Sequence, residues 1–210
     1  MNCTQMMFGS KVKYGITYKT NQKSFDIYRR KFEHDFKVNV VKQNLDGCKG
    51  LPFETMNAFI VSKVNLIKFY DIDTYVEMKN SMITIPLLES QTREPNEIIG
   101  LAKDVNENYL AIISGKNLIM DQQKPNQLFI FKRIRDTNTT EPDKFVQIKR
   151  IVIKDMPEFD SISMQFVFQT TKGGREPNSL IFAKMDKLMV LNYETEAIVD
   201  LYSYEVPLTR

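Results

Sequence analysis

The chain has 210 residues, of which 42% are hydrophobic and 26% are charged, a composition typical of a folded globular protein rather than a disordered one. The 29 Lys and Arg residues are nearly balanced by 26 Asp and Glu residues, and the net charge of +3 does not by itself indicate a nucleic-acid-binding surface. The two cysteines, Cys3 and Cys48, lie far apart without a CxxC partner, which excludes a disulfide framework and a cysteine-based zinc site.

The sequence predicts a protein of the cytoplasm. Residues 1–8 lack the charged start and apolar run of a signal peptide, and no stretch is apolar for long enough to cross a bilayer. The scarcity of cysteine favours a reducing compartment. At this length an all-β protein is often one domain, so we expect a single domain over residues 1–210.

The first predicted strand covers Lys11–Lys19, where apolar residues at even positions alternate with polar ones. Residues 24–41 predict further strands joined by a polar turn, although the spacing of Phe25, Tyr28 and Phe32 also fits a short helix. Leu45–Pro52 holds two Gly and a Pro, which predicts a loop.

Short apolar runs bounded by turn residues then recur almost to the end of the chain. Three Pro-Asn pairs, at 95–96, 125–126 and 177–178, each precede such a run, as expected where one element stops and a strand begins. Each run is too short for a typical helix, so the sequence predicts a mostly antiparallel all-β protein. The predicted strands are Ala58–Val61, Leu66–Tyr70, Met82–Leu88, Ile98–Ala102, Tyr109–Ile113, Leu128–Phe131, Phe145–Ile153, Ile162–Phe168, Leu180–Ala183, Leu188–Leu191 and Ile198–Tyr204.

One strand ending recurs along the chain. Phe69–Thr74 ends a strand and turns, and Leu191–Thr195 does the same, with Asp71 matching Asn192. Between them Phe131-Lys132-Arg133 ends a third comparable strand, so positions 71, 132 and 192 are spaced by 61 and 60 residues. The pattern predicts a repeated unit of four antiparallel strands, which is the architecture of a propeller blade. We assign blade-like units to residues 51–96, 97–155 and 156–210, and an irregular N-terminal blade to residues 1–50.

These residues resemble the WD-repeat family. The run Ala58–Lys63 followed by Leu66–Thr74 is similar to the inner strands of a WD-repeat blade, and Tyr109–Gly115 has the same pattern. The resemblance covers about residues 51–206 and implies a divergent β-propeller of about three to four blades, which is an incomplete ring if there are only three. The chain departs from the family in having no Trp, and His34 is not placed to give the family's Gly-His start.

Several polar groups are candidates for a catalytic or ligand-binding site, and each has a simpler structural interpretation. His34 has no second His nearby, Ser114–Lys116 lacks the first Gly of a phosphate loop, and Lys172–Arg175 is sufficient as a hairpin loop. The carboxylates at Asp71 and Asp73, and at Asp155, Glu158 and Asp160, do not follow the order of a calcium loop. The sequence therefore predicts no catalytic residue, no cofactor, no metal and no enzyme activity.

The favoured function is a non-catalytic protein-interaction scaffold. Its partners would bind loops on one face, namely residues 89–97, 120–126, 136–143 and 170–178, and another chain could complete the ring. The alternative is a small-ligand-binding or enzymatic β-barrel or propeller that uses a central cavity and residues such as Asp104 or Glu107. A weaker alternative is RNA binding through the basic N-terminal strand and Lys132–Arg135.

Overall fold

The computed structural model describes residues 7–8, 14–19, 24–32, 38–46, 49–79, 81–86, 97–115, 126–135, 143–153, 163–167, 177–183 and 187–203. These residues form strands arranged in four sheets, and the only helical element among them is the 3₁₀ turn Glu54–Met56. Within this part of the chain, no helix has the length and apolarity needed to cross a bilayer.

Each sheet has four strands, and within each sheet consecutive strands pair antiparallel. Sheet I contains β1 (Met7–Phe8), β2 (Tyr14–Lys19), β3 (Ser24–Phe32) and β4 (Val38–Asp46), and sheet II contains β5 (Lys49–Phe53), β6 (Ala58–Lys63), β7 (Leu66–Asp71) and β8 (Ile83–Thr84). Sheet III contains β9 (Glu97–Lys103), β10 (Tyr109–Gly115), β11 (Asn126–Ile134) and β12 (Lys144–Ile153), and sheet IV contains β13 (Ser163–Val167), β14 (Ser179–Ala183), β15 (Lys187–Asn192) and β16 (Ile198–Ser203). The predicted all-β fold of antiparallel four-stranded sheets is confirmed.

The chain divides into two compact units, an N-terminal unit (Met1–Pro86) with sheets I and II and a C-terminal unit (Leu87–Arg210) with sheets III and IV. The expectation of a single domain stays a prediction.

One local prediction was wrong. Of the loop predicted at Leu45–Pro52, Leu45–Asp46 end strand β4 and Lys49–Pro52 belong to strand β5. The strand favoured for residues 24–32 is confirmed as β3, and these residues do not form the short helix. Because β5 is the first strand of its sheet, it pairs on one side only, and such a position tolerates Pro52. Gly50 is required by packing: a Cβ at this position would lie 2.7 Å from Cζ of Phe59 and 3.1 Å from the carbonyl oxygen of Ile60.

The core of the C-terminal unit lies between sheets III and IV, where β9 lies against β13. Every residue of β10 is buried, so this strand is covered on both faces. The ring of Phe166 on β13 lies 6.3 Å from Tyr109 on β10 and 6.4 Å from Tyr193 after β15. These aromatic contacts join the two sheets into one core.

Candidate functional site

The turn after β7 is closed by a single carboxylate. The Asp71 oxygen Oδ1 accepts hydrogen bonds from the backbone N–H groups of Asp73 (3.0 Å) and Thr74 (2.7 Å) and from the Thr74 hydroxyl (2.9 Å). Asn57 adds a side-chain bond to Asp73 Oδ2 at 2.7 Å. Asp71 and Asp73 therefore stabilise a turn, which is the structural role expected for them.

The turn after β15 repeats this arrangement. Asn192 Oδ1 accepts from the backbone N–H groups of Glu194 (2.9 Å) and Thr195 (3.0 Å), as Asp71 does in the first turn. Tyr75 and Glu196, the residues that follow, have nearly equal left-handed φ values of 60° and 62°. The hairpin recognised in the sequence thus recurs with the same two backbone N–H bonds to the side-chain oxygen.

Each turn is also anchored to an Asn earlier in the chain. The backbone N–H of Ile72 donates to the carbonyl of Asn57 at 2.8 Å, and that of Tyr193 donates to the carbonyl of Asn178 at 2.9 Å. The N–H of Arg133 makes the same bond to the carbonyl of Asn108, at 2.8 Å. This shared bond aligns Lys132 with Asp71 and Asn192, as the sequence spacing indicated.

The middle copy departs from the other two at this aligned position. Lys132 cannot accept the backbone N–H groups that an Asp or Asn accepts, because its ammonium group is a donor only. Strand β11 accordingly continues to Ile134, whereas β7 ends at Asp71 and β15 at Asn192. At position 132, where the other two hairpins have Asp71 and Asn192, the middle hairpin therefore has no acceptor side chain.

A pocket of about 300 Å³ lies at this position. We call it the hairpin pocket, and it lies within the C-terminal unit. Its walls come from the turn between β9 and β10, from the end of β11 and from the residue at the approach to β14. The lining residues are Asp104, Asn106, Asn108, Tyr109, Lys132, Arg133, Arg135 and Pro177.

Asp104 organises the turn between β9 and β10. It is only 2% exposed, and its carboxylate accepts hydrogen bonds from the backbone N–H groups of Tyr109 (2.6 Å) and Asn106 (3.1 Å). Its carbonyl accepts from the N–H of Glu107 at 3.0 Å. Both carboxylate oxygens thus hold backbone groups of the turn.

Arg133 is a buried cation with an acidic partner. Its Nε donates to Asp143 Oδ2 at 2.6 Å, and a second guanidinium nitrogen forms an ion pair with the same carboxylate. Nη1 reaches the carbonyl of Glu107 at 3.4 Å, while the Glu107 carboxylate forms an ion pair with Lys103. Arg133 therefore connects the start of β12 to the turn between β9 and β10.

Two further cations lie at the pocket. Nη2 of Arg135 donates to the carbonyl of Asn106 and to the side-chain oxygen of Asn108, both at 3.1 Å. The Lys132 ammonium lies 5.6 Å from the centre of the Tyr109 ring, within the range of a cation–π interaction. Three cationic side chains thus line the pocket with one carboxylate, and amide and phenol groups complete its polar surface.

The structure places the candidate residues of the sequence as follows. Asp104 and Lys132–Arg135 supply pocket-lining side chains, and Glu107 lies beside the pocket on the Arg133 network. Among the described residues, no group of three or more His, Cys, Asp or Glu side chains could hold a metal ion. His34, Lys116, residues 155–160 and 172–175, and nearly all of the four predicted contact loops lie outside the described residues.

Sequence reasoning missed Asn106, Asn108, Tyr109 and Pro177 as pocket residues. The signal that could have located the pocket was present: Lys132 stands where the two matched hairpins have Asp71 and Asn192. A cation at a position that otherwise caps a turn is a local departure from a structural rule, and such departures concentrate at functional sites.

Comparisons with known proteins show the fold. No protein-family model matches the sequence, and no curated protein matches it. Among solved structures, the chain is similar to a proposed 6-phosphogluconolactonase from Bacteroides uniformis, with a TM-score of 0.53, 10% identity, and 93% of this chain and 52% of that chain covered. It is also similar to the periplasmic gluconolactonase of Pseudomonas aeruginosa, with a TM-score of 0.53, 12% identity, and 96% and 53% covered.

These similarities establish a propeller-like fold for a chain that spans about half the length of the two structures. The predictions of a non-catalytic scaffold and of no enzyme activity are contradicted, because both structures carry the names of lactonases, which are enzymes. The sequence reasoning failed because it searched for a contiguous catalytic motif, whereas a pocket on a β fold is assembled from turns that are distant in the chain.

Proposed function

We propose that the C-terminal unit binds a small polar molecule in the hairpin pocket and acts there on a sugar-acid lactone. One observation carries this proposal. Of the three matched hairpins, two close with a capped turn at Asp71 or Asn192, and the third has Lys132 and a polar pocket of about 300 Å³. Residues that depart from an otherwise repeated structural pattern are candidates for function.

The chemistry of the walls supports such a ligand. The side-chain amides of Asn106 and Asn108 and the phenol of Tyr109 are groups that hydrogen-bond sugar hydroxyls. Hydrolysis adds water to the lactone carbonyl, breaks the ring C–O bond and leaves a hydroxyl, a carboxylate and a released proton. The carbonyl oxygen gains negative charge during the attack, and Lys132 and Arg135 supply positive charge at the pocket. Asp104 has a positioning role, since both its oxygens already accept backbone N–H groups. The lactone itself comes from the names of the two similar structures.

The test uses D-glucono-δ-lactone, with proton release followed in a pH-stat and the spontaneous rate subtracted. Asn106→Tyr places a large ring at the mouth of the pocket. The bonds of Asn106 to the Asp104 carboxylate and to Arg135 both use its backbone, so the turn should persist. The control is Glu194→Tyr, an exposed position in the turn after β15, which does not line the pocket. We expect wild type and Glu194→Tyr to accelerate hydrolysis equally, and Asn106→Tyr to lose at least about 90% of the acceleration. No acceleration by the wild type, or equal acceleration by both variants, would contradict the proposal.

We further propose that the sheets are WD-repeat-like blades. The Asp71-to-Thr74 turn after an aromatic strand end supports this resemblance. Relatives that carry a Trp-Asp pair at positions 70 and 71 would support it, and relatives with Gly or Pro at position 70 would contradict it.

Completion of the ring by another chain is a separate proposal, supported by the coverage of about half of each similar structure. Light scattering on the purified chain checks it, and a monomeric mass would contradict self-completion. A cytoplasmic location also stays a proposal, which microscopy of the tagged protein can test.

A further inference from the structure

We infer that the ligand of the hairpin pocket carries a carboxylate or a phosphate group and that Arg135 is the residue that selects it. This inference rests on the proposed function, because it names the chemical class of molecule for the same pocket. It follows from the distribution of charge and hydrogen bonds around the three cations.

The charged side chains of the pocket differ in the partners that balance their charge. Arg133 is paired with Asp143, and the Asp104 carboxylate is held by the N–H groups of Asn106 and Tyr109. Arg135, in contrast, has two acceptors among the described residues, and both are neutral oxygens. An additional anion at the pocket would therefore meet a guanidinium whose charge no described acidic group neutralises.

The geometry of Arg135 suits an oxyanion. Both of its hydrogen bonds come from Nη2, one to Asn106 and one to Asn108, so the side chain is tied to the turn between β9 and β10. No described residue accepts a hydrogen bond from Nε or Nη1. A guanidinium can present two parallel N–H groups to a carboxylate or phosphate. Because its position is already fixed by the turn, less side-chain entropy is lost on binding.

The simpler interpretation of Arg135 is that it only ties the end of β11 to the turn. Bonds to neutral oxygens do not need a permanent charge, and an amide side chain can donate to the same acceptors. Arg135→Gln therefore separates the two roles, because it keeps a donor and removes the charge. Arg135→Lys keeps the charge and removes the planar pair of donors.

The experiment measures binding by isothermal titration calorimetry at low salt, with three probes: D-gluconate, inorganic phosphate and neutral D-glucitol. Gluconate and glucitol differ mainly in one terminal group, which isolates the effect of the carboxylate. Phosphate tests whether the anion alone suffices. The charge-matched control is Lys149→Gln, since Lys149 pairs with Glu196 and does not line the pocket.

For the wild type and Lys149→Gln we expect gluconate to bind about tenfold more tightly than glucitol. A difference of this size is typical of one charge-assisted hydrogen-bonded pair. Arg135→Gln should abolish this preference, and Arg135→Lys should retain part of it. The preference should also weaken as salt is added, because the site is exposed to solvent.

The outcomes separate this inference from the proposed function. Equal affinity for gluconate and glucitol, or an unchanged preference in Arg135→Gln, would overturn the anion inference even if lactone hydrolysis is observed. Binding of gluconate or phosphate that depends on Arg135, without any lactone hydrolysis, would support the inference and remove the lactonase proposal. A preference for inorganic phosphate over gluconate that depends on Arg135 would support the inference and indicate that the ligand carries a phosphate group.

Discussion

At the scale of single residues, Asp71 shows how one side chain can close a hairpin. Partial burial acts to raise the pKa of the Asp71 carboxyl, but hydrogen bonds from Thr74, Asp73 and Asn57 outweigh burial and hold its pKa below the ordinary value of 3.8. The same bonds from backbone N–H groups are made to Asn192 in the later turn, where the acceptor carries no charge. The turn thus needs an acceptor oxygen, and the charge of Asp71 makes the stability of its turn depend on pH.

Replacing Asp71 should change the response of stability to acid. Because the pKa is lower in the folded state, the charged form contributes stability above the ordinary Asp value, and this contribution is lost as pH falls through the folded pKa. We expect Asp71→Asn, which copies position 192, to fold and to show a weaker loss of stability between about pH 5 and pH 2 than the wild type. Urea denaturation across this range measures the difference. An identical pH dependence in both proteins would show that Asp71 does not contribute.

The comparison with Asp71→Ala tests the acceptor itself. Alanine removes the oxygen that three donors share, so we expect a loss of about 1–2 kcal/mol at pH 7, as for removal of a capping side chain. If Asp71→Asn and Asp71→Ala were equally unstable at pH 7, the turn would depend on the charge rather than on the oxygen.

At the scale of elements, side chains hold the end of β11 where the matched position 132 offers no Asp or Asn cap. Strand β11 extends past Lys132, and Arg133 and Arg135 tie this extension to the turn between β9 and β10. Arg133 has the same backbone bond to Asn108 that Ile72 has to Asn57, but its side chain is a buried cation. The element keeps its anchor, and side chains at the end of β11 form a network with the turn between β9 and β10.

Arg133→Met tests this network. The methionine fills part of the volume but leaves the Asp143 carboxylate without its bonds to Arg133. Removing one partner of a largely buried ion pair leaves a poorly compensated charge, so we expect a loss of about 2–4 kcal/mol in the free energy of unfolding. Chemical denaturation measures it, and the double variant with Asp143→Asn should recover at least about 1 kcal/mol of the loss. Purely additive losses would contradict the pairing.

At the scale of the whole molecule, the strands were largely predictable because each is a short apolar run between turn residues. Tyr109–Ile113 and Leu180–Ala183 were recognised from composition alone, and β10 and β14 include them. β5 was missed because Gly and Pro normally break strands, and only the approach of Phe59 to Gly50 shows why Gly occurs there. Local sequence carries no information about such tertiary contacts.

The pocket was less predictable than the strands. Asp104 was named as a candidate for a cavity, but its partners depend on which turn meets which strand end. Arg135 and Asn108 lie 27 residues apart in the chain, and no local pattern indicates that they bond. The site depends on how the elements are aligned. The N–H of Arg133 bonds the Asn108 carbonyl, and the turn between β9 and β10 and the end of β11 together line one pocket.

Because sheets III and IV share one core, we expect them to unfold together. Phe166 lies on β13, and its ring contacts Tyr109 of sheet III and Tyr193 of sheet IV. Phe166→Ala should cost about 3–4 kcal/mol, because truncation leaves a cavity between two packed sheets. Backbone hydrogen exchange should then accelerate in both sheets together, since neither can open without exposing the common core.

Val199→Ala is the control for this experiment, because Val199 lies on β16 with its side chain exposed and should leave exchange unchanged. Acceleration confined to β13–β16 would mean that sheet III holds its structure without sheet IV. Acceleration in both sheets would instead show that β9–β16 unfold as one cooperative unit, and the hairpin pocket, which has Tyr109 in its wall, would open with them.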